Sequence, residues 1–368
     1  MRITLLGAGH IGHTIAHLLA DSGDYEVTVV DRSVEALGRL QGPRIQTRVA
    51  DTADATDLLA ALRGQDAVIN ALPYHLATLA ATAALEAGCH YFDLTEDVAA
   101  TKAIQDLAHA GGRGARTAFM PQCGLAPGFI GIVAHHLAQS FDTLHEVKMR
   151  VGALPAFPTN ALKYNLTWSV DGLINEYCHP CEAIRDGQNT LVLALEGMEH
   201  FSLDGTEYEA FNTSGGLGTL CTTLAGRVQT LDYKSVRYPG HRDLMKLLLE
   251  ELQLNKDTET LKAILRKSIP STMQDVVLVF VTVSGMRGGS LVQEVFARKI
   301  FADRTSGAPL SAIQITTAAG ICAAVDLFRE GRLPQSGFIR QEQVALPDFL
   351  ANRFGRAYQQ SRQVESIG

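Results

Sequence analysis

Apolar and polar positions in the first 125 residues switch repeatedly between two periods. "RITLLGAGHIGHTIAHLLADSG" opens as a short apolar run, breaks at glycines, and resumes with apolar residues at the three- and four-residue spacing of a helix. The switch recurs in strand "EVTVVDR", helix "SVEALGRLQ", strand "IQTRVAD", helix "ATDLLAALRG", strand "DAVINALPY", helix "LATLAATAALEAG" and strand "HYFDLTED". Strands alternating with helices at this spacing predict an α/β fold with a Rossmann-type, doubly wound parallel sheet. The glycine- and proline-bounded turn "GLAPG" then opens a helix and marks a crossing to a second region. There the strands "HEVKMRVGAL", "NTLVLAL", "EYEAF" and "VVLVFVTVSGM" mix with helices "HRDLMKLLLEEL" and "TETLKAILRKS". That mixture predicts an α+β substrate domain with an open mixed sheet. A long amphipathic helix with small residues over 311–331 predicts a return of the chain to the first domain. The expected organisation is a dinucleotide-binding domain from 1–125 and 310–368, and a substrate-binding and oligomerisation domain from 126–309.

The first strand-to-helix turn carries Gly7-Ala8-Gly9-His10-Ile11-Gly12, which is G-x-G-x-x-G in the context it requires. Gly7 permits the tight turn, Gly9 lets the backbone approach a pyrophosphate, and Gly12 allows close helix-to-strand packing. His10 and Ile11 begin the helix whose N-terminal amides and dipole favour an anion. The second strand ends at Asp31, about 20 residues further on, where a carboxylate bonds the adenosine ribose. Asp31 therefore predicts NAD as the preferred cofactor, with weaker use of NADP through the adjacent Arg32. Ligands of such sheets lie at the carboxyl ends of the strands. That places Asp51 near the adenine, Asn70, Ala71 and Pro73 along the cofactor, Tyr74 towards a substrate, and Asp93, Thr95 and Glu96 near the nicotinamide. Each of these alone serves equally well as a helix cap or a solvated loop residue.

Charge narrows the partners. A net charge of -7 and a pI near 5.9 exclude nucleic acid and anionic membranes, which need a concentrated basic field. Apolar runs such as "DVVLVFVTV" fall short of the roughly 20 residues of a membrane span. "MRITLLGAGHIG" is broken by Gly7, Gly9 and His10 and reads as strand and turn rather than a secretory leader. A cytoplasmic location is expected. The six cysteines are scattered. Cys178 and Cys181 form a pair without the second pair of ligands that zinc requires, so no metal is expected.

"KYNLTWSVDGLINEY" concentrates Tyr164, the chain's one tryptophan Trp168, Asp171 and Glu176. With "GAGHIG", "HYFDLTED", "CGLAPGF", "EAFNTSGGLGTL" and "YKSVRYPGH", this stretch makes the chain resemble the saccharopine dehydrogenase family over nearly its full length. Within that family it is most similar to the members that oxidise lysine at its ε-carbon. The resemblance implies NAD-dependent oxidation of the ε-amine of L-lysine to 2-aminoadipate 6-semialdehyde, which cyclises to a piperideine carboxylate, with release of ammonia. Alternatives are a saccharopine or carboxynorspermidine-type dehydrogenase of the same family, or a dinucleotide-binding sensor without catalysis. A lysine side chain has a pKa near 10.4, so a base must help remove its proton before hydride leaves. Asp93, His241 and Glu96 are the candidates, with a helix-capping role as the alternative for His241. Tyr164 and Trp168 wall the aliphatic stem or are core aromatics. Asp171 or Glu176 pairs an ammonium group. Related saccharopine-forming reductases carry an arginine beside the serine matching Ser169, whereas here Val170 and Asp171 follow it, and an acid there repels a second substrate carboxylate. Arg237, Lys234, Arg227 and Lys163 are the cations available to the α-carboxylate, and Gly215, Gly216 and Thr219 supply further donors. The expected partners are a small amino-acid substrate and further copies of the chain, as a homodimer or homotetramer.

Overall fold

A computed structural model describes residues 1–110, 116–166, 169–302 and 309–359. In chain order its strands are β1 (Arg2–Leu6), β2 (Glu26–Asp31), β3 (Ile45–Val49), β4 (Ala67–Asn70), β5 (His90–Asp93), β6 (Ala118–Met120), β7 (Thr143–Pro155) and β8 (Cys181–Arg185). They continue with β9 (Gln188–Val192), β10 (Glu199–Leu203), β11 (Thr206–Asn212), β12 (Val228–Arg237), β13 (Asp275–Arg287), β14 (Ser290–Phe301) and β15 (Gly337–Phe338). Two compact units result, one from Met1–Ile132 with Thr317–Ala357 and the other from Val133–Thr316 with Tyr358–Gly368. The crossings thus fall a few residues beyond the 125 and 310 expected from composition.

The first unit holds a seven-stranded sheet in the order β15-β6-β5-β4-β1-β2-β3, with every neighbouring pair parallel. Its central strands are almost wholly apolar, as strands covered on both faces must be. The order reverses between β1 and β4, so the ends of β1, β2 and β4 meet at the switch point. Residues 337–338 supply the last strand, beside β6, and so return the chain to this sheet. Helix Ala312–Arg329 has the length and apolarity to cross a membrane, but 83% of it is buried, as in a core helix. Within the unit, a side chain at Gly320 would meet the Cys123 and Gly124 carbonyl oxygens at 2.8 and 2.9 Å, which explains a glycine in mid-helix.

The second unit is built on an eight-stranded mixed sheet, with the path β10-β11-β12-β7-β13-β14 and the β8–β9 hairpin attached to β12. β12 runs parallel to β7, while β13 and β14 are antiparallel to their neighbours. One core cluster gathers Leu173, Ile174, Tyr177, Met245, Leu261 and Leu265 from three helical segments, Phe211 from β11 and Tyr164 from the chain before the first of those helices.

Candidate functional site

The glycine loop shows why each glycine is needed. Gly7 has φ +102°, where side chains are strained, and a Cβ there would meet the Ala71 carbonyl oxygen at 2.9 Å. A Cβ at Gly12 would sit 2.0 Å from the Gly7 oxygen, so the helix starts directly against the turn. At Gly9 nothing lies within 4 Å, and Gly9 and His10 are exposed. This leaves an open cradle at the N-terminus of helix His10–Asp21, whose first amides lack intrahelical partners. Asp31 fastens the loop. Its carboxylate accepts from the Ala8 amide at 2.7 Å and from the Ser33 amide at 2.8 Å, one donor per oxygen. Each oxygen retains lone-pair capacity for a further donor. Arg32 is exposed beside it. Ala71 donates to the Leu6 carbonyl at 2.9 Å and so joins the β4 end to the loop. These residues fit a dinucleotide: small backbone at the pyrophosphate position, helix amides facing it and an acid at the ribose position.

Other strand-end residues are occupied by local structure. Asn70 is buried, donating to the Tyr91 hydroxyl at 3.2 Å and accepting from the Leu72 amide. Asp51 accepts from the Ala53 amide in a turn. Thr95 accepts from the Asp97 amide, and Asp97 caps the next helix through Ala100. Pro73 precedes a single helical turn that holds Tyr74.

Asp93, expected as a base, is fully buried. Tyr91 donates its hydroxyl to one carboxylate oxygen at 2.8 Å, and the Thr95 and Gln122 amides donate to the other at 3.0 and 2.8 Å. Burial still outweighs these donors and pushes its pKa up to about 6. The arrangement is a carboxylate bolt between the loops after β5 and β6, which is a correction to the catalytic reading. The Tyr91–Asp93 spacing, two residues apart on one strand face, was the signal for it. Glu96 is half-buried at the same edge.

In the second unit, Arg237, Tyr177 and His241 form a sealed polar cluster. The Arg237 Nε donates to the Tyr177 hydroxyl at 2.9 Å, and that hydroxyl lies 3.1 Å from His241 Nε2. His241 Nδ1 is 2.8 Å from the Leu162 carbonyl, which can only accept. The tautomer follows: Nδ1–H donates to Leu162, and Nε2 accepts from Tyr177. The Arg237 guanidinium also lies over the Tyr164 ring at 5.0 Å and the Tyr177 ring at 5.8 Å. All four residues are buried. Burial, with Arg237 nearby, pushes the His241 pKa down to about 3, so the imidazole is neutral. His241, expected as a base, is instead held neutral inside a buried network, and of the two readings of Tyr164 its full burial fits the core aromatic.

Asp171 is also reassigned. It sits in the first turn of helix Val170–Cys178, paired with Lys262 at 2.6 Å and Arg266 at 3.4 Å from helix Thr258–Ser268. Two cations already neutralise it, so it neither awaits a substrate ammonium nor repels a second carboxylate. Lys234 is bonded to the Gly197 carbonyl and Glu199, and Lys163 to the Pro239 carbonyl. Thr219 is half-buried ahead of a short helix, Leu220–Thr223. Trp168 lies outside the described residues. Cys178 and Cys181 are unpaired thiols, raised by burial to about 11 and about 12.

Comparison with known proteins decides the family. Residues 3–118 match the saccharopine dehydrogenase NADP binding domain, and residues 124–356 match the saccharopine dehydrogenase C-terminal domain. The chain belongs to the saccharopine dehydrogenase family. It is an NAD(P)-binding oxidoreductase fold of that family. Among solved structures it is similar to apo saccharopine dehydrogenase (L-Glu forming) from Saccharomyces cerevisiae, at 16% identity over 97% of this chain and 96% of that one, with a TM-score of 0.74. A myo-inositol dehydrogenase from Corynebacterium glutamicum also aligns, at 16% identity over 98% and 96% of the two chains, with a TM-score of 0.46. The yeast match agrees with the two-unit α/β architecture described above.

Proposed function

We propose that this family member is an NAD-dependent lysine 6-dehydrogenase, oxidising the ε-amine carbon of L-lysine to 2-aminoadipate 6-semialdehyde and releasing ammonia. The observation that carries the oxidoreductase reading is the open glycine cradle with Asp31 tied to it by the Ala8 amide. The bound nicotinamide would supply the hydride acceptor. The protein's part is to bind and orient. Gly9 and the first amides of helix His10–Asp21 hold the pyrophosphate, and Asp31 takes the ribose and disfavours a 2′-phosphate. Of the three candidate bases, Glu96 is the one that solvent reaches, and we assign it the substrate amine proton. The lysine assignment rests on the "YNLTWSVDGLINEY", "EAFNTSGGLGTL" and "YKSVRYPGH" segments.

Neutralisation of Asp171 by Lys262 and Arg266 removes the charge argument against a second carboxylate and favours saccharopine as the second reading. Absorbance at 340 nm and ammonia release, measured with lysine and with saccharopine, separate the two. Equimolar NADH and ammonia from lysine, at a rate that climbs towards alkaline pH, is expected. NADH from saccharopine and none from lysine would select the second reading. The Asp31→Ser variant should lose the preference for NAD over NADP.

A further inference from the structure

β14 is the terminal strand of the second unit's sheet. β13 pairs with it from Arg287–Ser290 to Val276–Phe301, and among the described residues no strand pairs its outer edge. An open edge of twelve residues is unusual, because its N–H and C=O groups template pairing with another chain, and proteins ordinarily shorten or cover such edges. Gly288 and Gly289, both at positive φ, form the two-residue turn between Arg287 and Ser290. Such a turn makes Arg287–Ser290 a hydrogen-bonded pair. Even-numbered residues of β14 therefore bond β13, and odd-numbered residues from Leu291 to Phe301 direct their backbone groups outwards. Three of those odd positions expose apolar side chains: Leu291 at 70%, Val295 at 51% and Phe301 at 38%.

The strand is self-complementary about Phe296. Outward from it stand Val295 with Ala297, Glu294 with Arg298, Gln293 with Lys299, Val292 with Ile300, and Leu291 with Phe301. Two antiparallel copies related by a two-fold axis at Phe296 oppose every residue to its mirror. Apolar groups then meet apolar groups at the centre and both ends, and Glu294 faces Arg298 twice. Residue-centred axes are the ones that keep the outward-bonding, odd-numbered residues opposite each other. Moving the axis to Val295 sets Arg298 against Val292 and Lys299 against Leu291. Moving it to Ala297 sets Glu294 against Ile300 and Lys299 against Val295. Within one chain, Arg298 lies over the Phe296 ring at 4.8 Å, and Glu294 holds Arg287 of the turn.

We propose that β14 is a self-association edge, through which two copies of the protein pair antiparallel about Phe296 and join their sheets into one. The occupant is a second copy because the apolar and charged positions match their own mirror image, with Glu294 set against Arg298 on both sides of the axis.

Sedimentation velocity on the full chain tests this. Val295→Pro removes an outward N–H and leaves the β13 bonds in place. Glu294→Lys and Arg298→Glu each create two like-charge contacts across the axis. The unaltered protein should sediment as an even-numbered oligomer. Val295→Pro and each charge reversal should weaken the association, the reversals by roughly a hundredfold in dissociation constant. An equimolar mixture of the two charge variants should regain dimers, since both cross-strand contacts are then of opposite charge. Recovery on mixing separates an interface effect from misfolding or from loss of the Arg287 contact. A monomeric parent at tens of micromolar, an oligomer indifferent to all three variants, or charge variants that dissociate and fail to recombine would each overturn the proposal.

Discussion

The glycine loop of the first unit and the Arg237–Tyr177–His241 cluster of the second both gather polar groups of the kind that bind ligands, but they differ in what those groups already touch. In the loop, Gly9 and the first helix amides stand exposed with nothing within 4 Å of the Gly9 Cβ position, and Asp31 has one donor per oxygen. In the cluster, the Tyr177 hydroxyl accepts from Arg237 and donates to His241, while the second imidazole nitrogen is held by Leu162. Open hydrogen-bonding capacity held rigid by its surroundings marks a binding site. Saturated capacity sealed from water marks a scaffold.

The sharpest way to break this contrast is at the glycines. Gly12→Val places atoms against the Gly7 carbonyl and should cost about 3 kcal/mol or more of stability, read as a lowered thermal midpoint. Gly9→Ala should leave that midpoint unchanged and weaken dinucleotide affinity by about tenfold or more, since its Cβ enters only the cradle. A Gly9→Ala protein with normal NADH binding by fluorescence titration would show that the cradle is not the site.

Tyr177→Phe comes next. It strands a buried guanidinium nitrogen and a buried imidazole nitrogen, for an expected loss of about 2 to 4 kcal/mol in urea unfolding. If turnover collapses while stability holds, the cluster is catalytic and the contrast fails.

The pH dependence is smaller at neutrality and grows with acid. The His241 pKa, about 3 when folded, lies below the ordinary 6.5, so the unfolded chain takes up the proton first as pH falls. Its contribution is present above about pH 6.5 and is lost progressively down to about pH 3. Asp93 has the opposite sign: its folded pKa is raised, so its charged form opposes folding as pH climbs through about 6. Comparing the parent with His241→Gln isolates the histidine. The stability difference between the two should shrink steadily from pH 6.5 to pH 4.

Asp171→Asn is expected to do least. Its ion pairs with Lys262 and Arg266 are partly exposed, and such pairs contribute up to about 1 kcal/mol. The Michaelis constant for lysine should stay unchanged. A large rise would return Asp171 to the substrate site.

These residues also show what a sequence conveys. The parallel sheet, the glycine loop and Asp31 were legible because backbone sterics and strand periodicity act over a few neighbouring positions. The ion pairs of Asp171 are not legible in the sequence, because its partners lie more than 90 residues away, on a helix whose packing no local pattern specifies. Asp93 was rightly placed at a strand end, but whether it faces inward depends on donors from Tyr91, Thr95 and Gln122. Tyr177 has no signal of its own in the sequence, since its importance comes from Arg237 and His241, about 60 residues further along.

One consequence of the topology concerns synthesis on the ribosome. β6 is complete by residue 120, but its outer neighbour, β15, is encoded at residues 337–338. The buried Tyr25–Asp326 hydrogen bond, at 2.6 Å, joins the same two distant parts of the chain. At the usual elongation rate of about 5–20 residues per second, a nascent chain carries the β6 edge unpaired for roughly ten to forty seconds. During that time the strand that residue 337 will cover is open to chaperones and to premature pairing partners.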